Sequence, residues 1–470
     1  MLHIHLACGT RGDEYALVEI PETRYAETSD GAYIAFQVFG SGPVDLLLMP
    51  GFFTNLDENW RIPEIADTHR LIGSFARVVA MDRRGVGLSD RFSPGKAEPL
   101  ETHVDDLIAV LDAAKVQDAC IFSSESGAPL ALLFAAAHPE RTRALALFVP
   151  FPCEPGRLAG TEDEETLRQT RLEWVRGWGD GVAREDLEGW NPTMAGDPAM
   201  VKAWGAYLRS AASPGSALAL EEQSWHVDVR GIYPSVRVPT LIMERSRVAN
   251  WAKFRPLVHE AAAKIPGAKL VNLAGRDALY WWGDREEFAA HLEEFFVGTR
   301  SATAADARRG LATVLFTDIV GSTRKAAELG DTPWKSLLER HHRTVRAMIG
   351  RYRGIEVDTA GDGFFAAFDG PARGVRCAQA IIEAVQPLGV EIRAGLHTGE
   401  VETINQKAGG IAVHIGARVG ALAGPSQVVV SSTVKDLTAG SGLVFEDAGE
   451  HELKGVPDRW HLFRVMSGQP

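Results

Sequence analysis

Cysteine is scarce: 470 residues hold four, Cys8, Cys120, Cys153 and Cys377. Their spacing suits neither a disulfide framework nor a zinc site, so they read as reduced thiols of a cytoplasmic protein. Long hydrophobic runs are missing as well. The best candidate, Pro129 to Ala137, falls far short of the roughly 18 residues that a membrane span needs. The first residues (MLHIHLACGTRGDE) have no basic segment followed by an apolar core, so no secretory leader is expected. Basic excess is also lacking: 49 Lys and Arg stand against 62 Asp and Glu, a net charge of −13. This disfavours a general nucleic-acid binder. There is no internal repeat or low-complexity tract. Hydrophobic residues at 45% and charged residues at 24% fit an ordinary globular chain long enough for two or three domains.

What is present is strand–helix alternation, twice over. Val44 to Met49, Val78 to Met81 and Ala119 to Phe122 are short apolar runs. Leu107 to Ala114 and Pro129 to Ala137 have helical patterning. This predicts a parallel sheet covered on both faces. Around 151–235 the alternation stops, and Trp174, Trp178, Trp190, Trp204 and Trp225 sit among charges and glycines, as in a helical insertion. The pattern resumes at Leu241 and closes with an amphipathic helix from Asp284 to Phe296. The expected organisation is a first α/β domain over 21–298, with the insertion as a cap. A linker follows at 299–310, and a second α/β unit occupies 311–466. In that unit Leu311 to Thr317 reads as a strand, and Thr332-Pro333 as a helix start. Ala360-Gly361-Asp362-Gly363 reads as a hairpin turn, and Ala412 to Leu422 as a helix.

The second unit carries the sharper chemical signal. In Phe316-Thr317-Asp318-Ile319-Val320-Gly321-Ser322-Thr323 an acidic residue closes a strand and a small-residue turn opens a helix. Asp362 follows in Asp358-Thr359-Ala360-Gly361-Asp362-Gly363-Phe364. Each Asp alone reads as a helix cap or turn residue. Both together, with the first strand beside the hairpin, converge as two carboxylates able to hold two hard cations roughly 3.5–4 Å apart. Backbone N–H groups from Ile319 to Thr323 would cradle phosphate at the helix start.

These motifs resemble the catalytic domain of class III nucleotidyl cyclases, over about 308–466. The resemblance implies a ferredoxin-like α+β fold and a homodimer with active sites between subunits. It also implies conversion of a nucleoside triphosphate to a 3′,5′-cyclic nucleotide and pyrophosphate. It assigns Asp318, Ile319 and Asp362 to two Mg²⁺ or Mn²⁺ ions, and Val320, Gly321, Ser322 and Thr323 to substrate binding. The helix Ala412 to Val419 would lend Arg418 to the transition state from the partner subunit. His414, one turn earlier on the same face, stands where the family usually has Asn and still donates a hydrogen bond. Lys454 falls near a phosphate-touching lysine of the family and reads equally well as a surface lysine. The base-reading positions depart from the adenine pattern: Asp358 replaces a lysine, and Ile411 cannot hydrogen-bond through its side chain. A carboxylate accepts where guanine donates, so Asp358 leans toward GTP or toward weak base selectivity.

The first domain resembles α/β-hydrolases through Met81-Asp82-Arg83-Arg84-Gly85-Val86-Gly87 and through Ala135-Ala136-Ala137-His138-Pro139-Glu140-Arg141. Counting back from His138 places the nucleophile elbow at Ser123-Ser124-Glu125-Ser126-Gly127, with Glu125 at the serine position. Gly275-Arg276-Asp277-Ala278 puts Ala278 where the histidine belongs. The acid loop Arg245 to Asn250 holds no carboxylate. All three triad roles are missing, so the domain is expected to be a pseudo-hydrolase. It would be either a regulatory pocket for an apolar ligand or a structural, dimerising scaffold.

Together these readings predict a cytoplasmic, metal-dependent, homodimeric cyclase without nucleic-acid or membrane partners. The order of domains resembles mycobacterial and actinobacterial hydrolase–cyclase fusions, which puts ATP and cyclic AMP first. A guanylyl or low-selectivity purine cyclase is the alternative. Rival classes are an esterase or lipase, and a non-enzymatic binding module.

Overall fold

The computed structural model describes residues 20–49, 51, 53–91, 98–153, 164–245, 247–248, 254–299, 309–404 and 407–466. Cys8, Pro50, Ser246, Ala249, Asn250 and most of the expected linker (300–308) lie outside them.

The first sheet contains β1 (Arg24–Glu27), β2 (Tyr33–Phe39), β3 (Val44–Met49), β4 (Ala76–Met81), β5 (Ala119–Ser124), β6 (Thr142–Phe148), β7 (Thr240–Glu244) and β8 (Lys269–Asn272), in the order β1-β2-β4-β3-β5-β6-β7-β8. Neighbours from β4 through β8 are parallel, while β1 and β2 add an antiparallel edge. Central parallel strands are covered on both faces, so they must be apolar throughout rather than alternating. Every residue of β5 and β7 is buried accordingly. The Ala128–Ala137 helix is buried almost all round because it packs on β5 and β6 and also meets the second sheet.

The tryptophan-rich stretch folds as helices, the longest being Glu164–Arg176, Asp180–Trp190, Pro198–Ala211 and Pro214–His226. Asp197 and Ser213 cap the last two, each followed by proline at the first helical position.

The second sheet contains β9 (Arg309–Ile319), β10 (Ile355–Ala360), β11 (Gly363–Phe368), β12 (Ile392–Ile404), β13 (Lys407–Gly409), β14 (Val428–Ser431), β15 (Phe445–Glu452) and β16 (Arg459–Val465). Its order is β10-β11-β9-β12-β14-β16-β15, with β13 paired to β12. The run β10-β11-β9-β12, antiparallel throughout, is the ferredoxin-like arrangement that the motifs implied. The Asp331–Arg351 and Pro371–Val385 helices bury Leu337, Val345, Ile349, Val375 and Ile381 against it. The Ile411–Leu422 helix lies on β9 and β12, close enough to require glycine. A Cβ on Gly395 would stand 2.1 Å from the Gly420 nitrogen, and one on Gly416 would stand 2.6 Å from the Val314 side chain.

Two local expectations change. The long helix starts at Asp331 after Gly330 at φ +77°, without a side-chain cap, so Thr332 is inside it. The preceding Ser322–Leu329 helix makes that glycine turn the natural boundary. Asp318 does not end its strand, because β9 continues to Ile319.

The two units meet along the Leu100–Ala113 helix. Glu101, 5% exposed, accepts the N–H groups of Ala372 at 2.9 Å and Arg373 at 3.4 Å. It thereby satisfies donors that the Pro371–Val385 helix, with Gly370 at its N-cap, cannot satisfy itself. A Cβ on Gly370 would lie 2.2 Å from the Glu101 carboxylate. Asp105, one turn on, pairs with Arg373 and, at 3.0 Å, with Arg353. Arg237 and Glu400 add a pair at 2.7 Å. Among the described residues, no helix is long and apolar enough to cross a membrane.

Candidate functional site

The β9–β11 pairing sets Thr317 opposite Phe364, which brings the hairpin turn beside the end of β9. Asp318 and Asp362 therefore converge. The Asp362 carboxylate accepts the Ile319 N–H at 3.0 Å. Burial, with the like charge of Asp318 next to it, holds its pKa above the ordinary value. Opposite Asp318 in β12 stands Arg393, whose guanidinium donates to it at 2.7 and 3.2 Å and also donates to the Ala421 carbonyl. Sequence reasoning missed Arg393. A lone cation in the apolar run Ile392 to Leu396 was the available signal. Among the described residues no third His, Cys, Asp or Glu joins the pair. The donor set is thus two carboxylates of hard oxygen character, with a local negative charge that Arg393 partly offsets. This set fits hard divalent cations shared with a phosphate ligand.

A cleft of about 510 Å³ adjoins the pair, lined by Phe316, Asp318, Asp358, Arg393, Val413 and Ala417 among others. Phe316 and Phe365 stack face to face there at 4.6 Å. Asp358 sits on the cleft wall, exposed, after a bulge in β10, and its carboxylate accepts the N–H of Thr359. The expected phosphate cradle is shorter than the motif suggested. The Ile319 amide goes to Asp362 and the Val320 amide to the Glu391 carbonyl, which leaves the turn and helix start at Gly321, Ser322 and Thr323.

His414 and Arg418 are exposed on the Ile411–Leu422 helix and do not line this chain's own cleft, which that helix faces with Val413 and Ala417. Arg418 donates to the Lys454 carbonyl at 3.1 Å, so those two positions are neighbours. Ile411 is 54% exposed at the start of the same helix. One chain thus brings Asp318, Asp362, Asp358 and Arg393 together, and leaves His414, Arg418, Lys454 and Ile411 on a separate exposed face.

In the first unit, Glu125 has φ +48°, a strained value at the sharp β5-to-helix turn. Tight approach supports that turn, since a Cβ on Gly51 would lie 1.8 Å from the Ser124 carbonyl. Ala278 is buried, with its N–H on the Trp190 carbonyl at 2.8 Å. Arg245 follows β7 directly and is 1% exposed. Its guanidinium donates to the carbonyls of Asp277 and Leu279, at 3.0 and 2.9 Å. A buried cation thus lies between the loops that would carry an acid and a base, clamping the residues that flank Ala278. Asp277 is spent on the Thr193 N–H and hydroxyl.

Comparison with known proteins follows the same division. The family model "Adenylate and Guanylate cyclase catalytic domain" matches residues 306–467, and "alpha/beta hydrolase fold" matches 46–284, more than half of the chain. A Rhizobium meliloti protein provisionally named adenylate cyclase 3 is 26% identical over 165 residues, 33% of this chain and 28% of that protein. Epoxide hydrolase B of Mycobacterium tuberculosis is 34% identical over 116 residues, 23% of this chain and 30% of that enzyme. The chain therefore spans less than a third of the length of either relative. The structure of a hydrolase from Pseudomonas aeruginosa PA01 aligns with a TM-score of 0.48 at 22% identity, covering 59% of this chain and 98% of that one. The chain belongs to the α/β-hydrolase fold family and carries, C-terminal to that fold, an adenylate and guanylate cyclase catalytic domain.

Proposed function

We propose that this protein is a homodimeric class III cyclase that converts ATP to 3′,5′-cyclic AMP and pyrophosphate under the control of its hydrolase-fold domain. The observation that carries the reading is the convergence of Asp318 and Asp362 beside an open cleft. Asp318 and Asp362, with the Ile319 segment between them, would hold two Mg²⁺ or Mn²⁺ ions. Such cations supply the charge that acidifies a ribose 3′-hydroxyl and neutralises triphosphate. The turn Gly321-Ser322-Thr323 binds phosphate oxygens through its N–H groups. Arg418 of a second copy steadies the charge on the α-phosphate as its bond to the 3′-oxygen forms and its bond to the pyrophosphate oxygen breaks. His414 orients the ribose and Lys454 the outer phosphates. The exposed face shared by these three side chains supports the dimer, because one chain alone leaves them off its own cleft wall.

Asp358 on the cleft wall favours a second reading, a guanylyl or weakly selective purine cyclase. Paired assays of the full chain with Mn-ATP and Mn-GTP separate the two. A larger rate with GTP overturns the preference for ATP. Cyclic-nucleotide production that survives Asp318→Ala overturns the metal assignment. The loss of the triad histidine and acid argues against an esterase role. The joint between the units supports control. Leu100 lines the cavity under the cap, and its neighbour Glu101 caps a cyclase helix.

A further inference from the structure

The cavity under the cap measures about 390 Å³ and lies beyond the carboxyl ends of β5 and β6, where α/β folds hold their ligands. Its aromatic wall is a three-ring box: Phe151 and Phe254 lie 4.5 Å apart, Trp190 and Phe254 5.0 Å, Phe151 and Trp190 6.3 Å. Its polar wall is acidic. Glu125 projects into it from the elbow, Asp186 faces it from the cap, and Glu185 and Glu221 also border it.

The Asp186 carboxylate accepts the Trp204 indole N–H at 2.7 Å and is otherwise enclosed, with its pKa pushed up to about 6 by burial. Burial and the charge of Asp186 push Glu125 up to about 8. Among the described residues the one cation on the wall is Arg83, whose charge also feels Asp106 outside the cavity. Among the described residues no cation pairs with Glu125 or Asp186.

We infer that this cavity is a receptor site for an organic cation, a protonated amine carried on an apolar body. The charged end lies between Glu125 and Asp186, and the body lies in the Phe151–Trp190–Phe254 box. An anion would meet the carboxyls of Glu125 and Asp186. A purely apolar ligand, the sequence expectation, would seal Glu125 away from water without a partner and leave Asp186 with the Trp204 N–H alone. A cation satisfies both and gains from the ring faces. Arg245 and Ala278 leave the site without a base and its acid, so the cation is bound rather than transformed. The inference rests on reading the N-terminal domain as a ligand-binding unit and not on the cyclase reaction.

The test is calorimetric titration of the full chain with benzylamine and with benzyl alcohol, which differ at one group. The amine is expected to bind about tenfold tighter or better. Glu125→Gln should bring the amine to the level of the alcohol, and Asp186→Asn should weaken it severalfold, with far-ultraviolet circular dichroism unchanged in both. Equal affinity for the two probes, binding of neither, or an amine preference that survives both substitutions overturns the inference. Titration reads no turnover, so an inactive cyclase would leave this result standing, and the reverse also holds.

Discussion

Replacing Asp362 by Asn separates a working carboxylate from a structural one. The change keeps the shape. The amide oxygen still accepts the Ile319 N–H, and the amide nitrogen can donate to Asp318. It removes one of two like charges at hydrogen-bonding reach of each other. At about 4 Å and an effective dielectric near 20, that repulsion is about 4 kcal/mol. Arg393 already offsets part of it, and Asp318 is 42% exposed, so about 1 kcal/mol is the realistic gain. In EDTA the variant should therefore melt about 2–4 °C above the wild type. Manganese should reverse the order. Wild type gains about 2.7 kcal/mol at a hundredfold excess over its Kd, while the variant gains little. Cyclic-nucleotide formation should fall at least about a hundredfold. Differential scanning calorimetry with and without Mn²⁺, beside a cyclase assay, reads all three effects. A carboxylate kept only for structure behaves oppositely, losing stability in EDTA and keeping turnover. Either of those two results refutes the reasoning.

Other consequences are equally direct. Glu101→Ala removes the acceptor for two helix N–H groups and should cost about 1–2 kcal/mol, splitting a single melting transition into two. Gly370→Ala should reproduce this by pushing Glu101 away, and unchanged melting in both would dismiss the joint. His397, 4% exposed and bonded to Ser431, is held neutral by burial, its pKa lowered to about 4 from 6.5. The unfolded chain binds the proton more readily, so stability should fall as pH drops from 6.5 toward 4, by at most about 3 kcal/mol. Urea midpoints at pH 7 and pH 5 measure it, and His397→Asn should shrink the difference, leaving the share that the buried His69, His103 and His341 contribute. Finally, the double change Glu125→Ser with Ala278→His should yield negligible p-nitrophenyl ester hydrolysis, because Arg245 occupies the place of the orienting acid. Brisk hydrolysis would show that reading of Arg245 to be mistaken.

How far these features could be read from the chain depends on how local their physics is. Parallel strands buried on both faces announce themselves as unbroken apolar runs, so VDLLLM and the sheet around it were legible. Glu125 could be placed by counting, because the elbow and the helix after it keep a fixed length. Asp318 and Asp362 were legible because each sits in a short motif, and one strand pairing brings them together. Arg393 was not, since only the β9–β12 register tells which residue of β12 faces Asp318. Arg245 was read merely as the absence of an acid. That it is buried and clamps two distant carbonyls is a tertiary fact. Glu101 was the hardest, being a cap supplied by one domain to a helix of the other. Even so, a trace existed. The Pro371–Val385 helix begins at a glycine–proline pair with no Ser, Thr, Asp or Asn at its N-cap, while its first residues are apolar enough to be buried. Orphan N–H groups at a buried helix end require an acceptor from elsewhere. A helix that lacks its own cap at an apolar end is therefore a sequence-level pointer to an interface. In this chain the acceptor is Glu101, on the helix whose first residue lines the cavity under the cap.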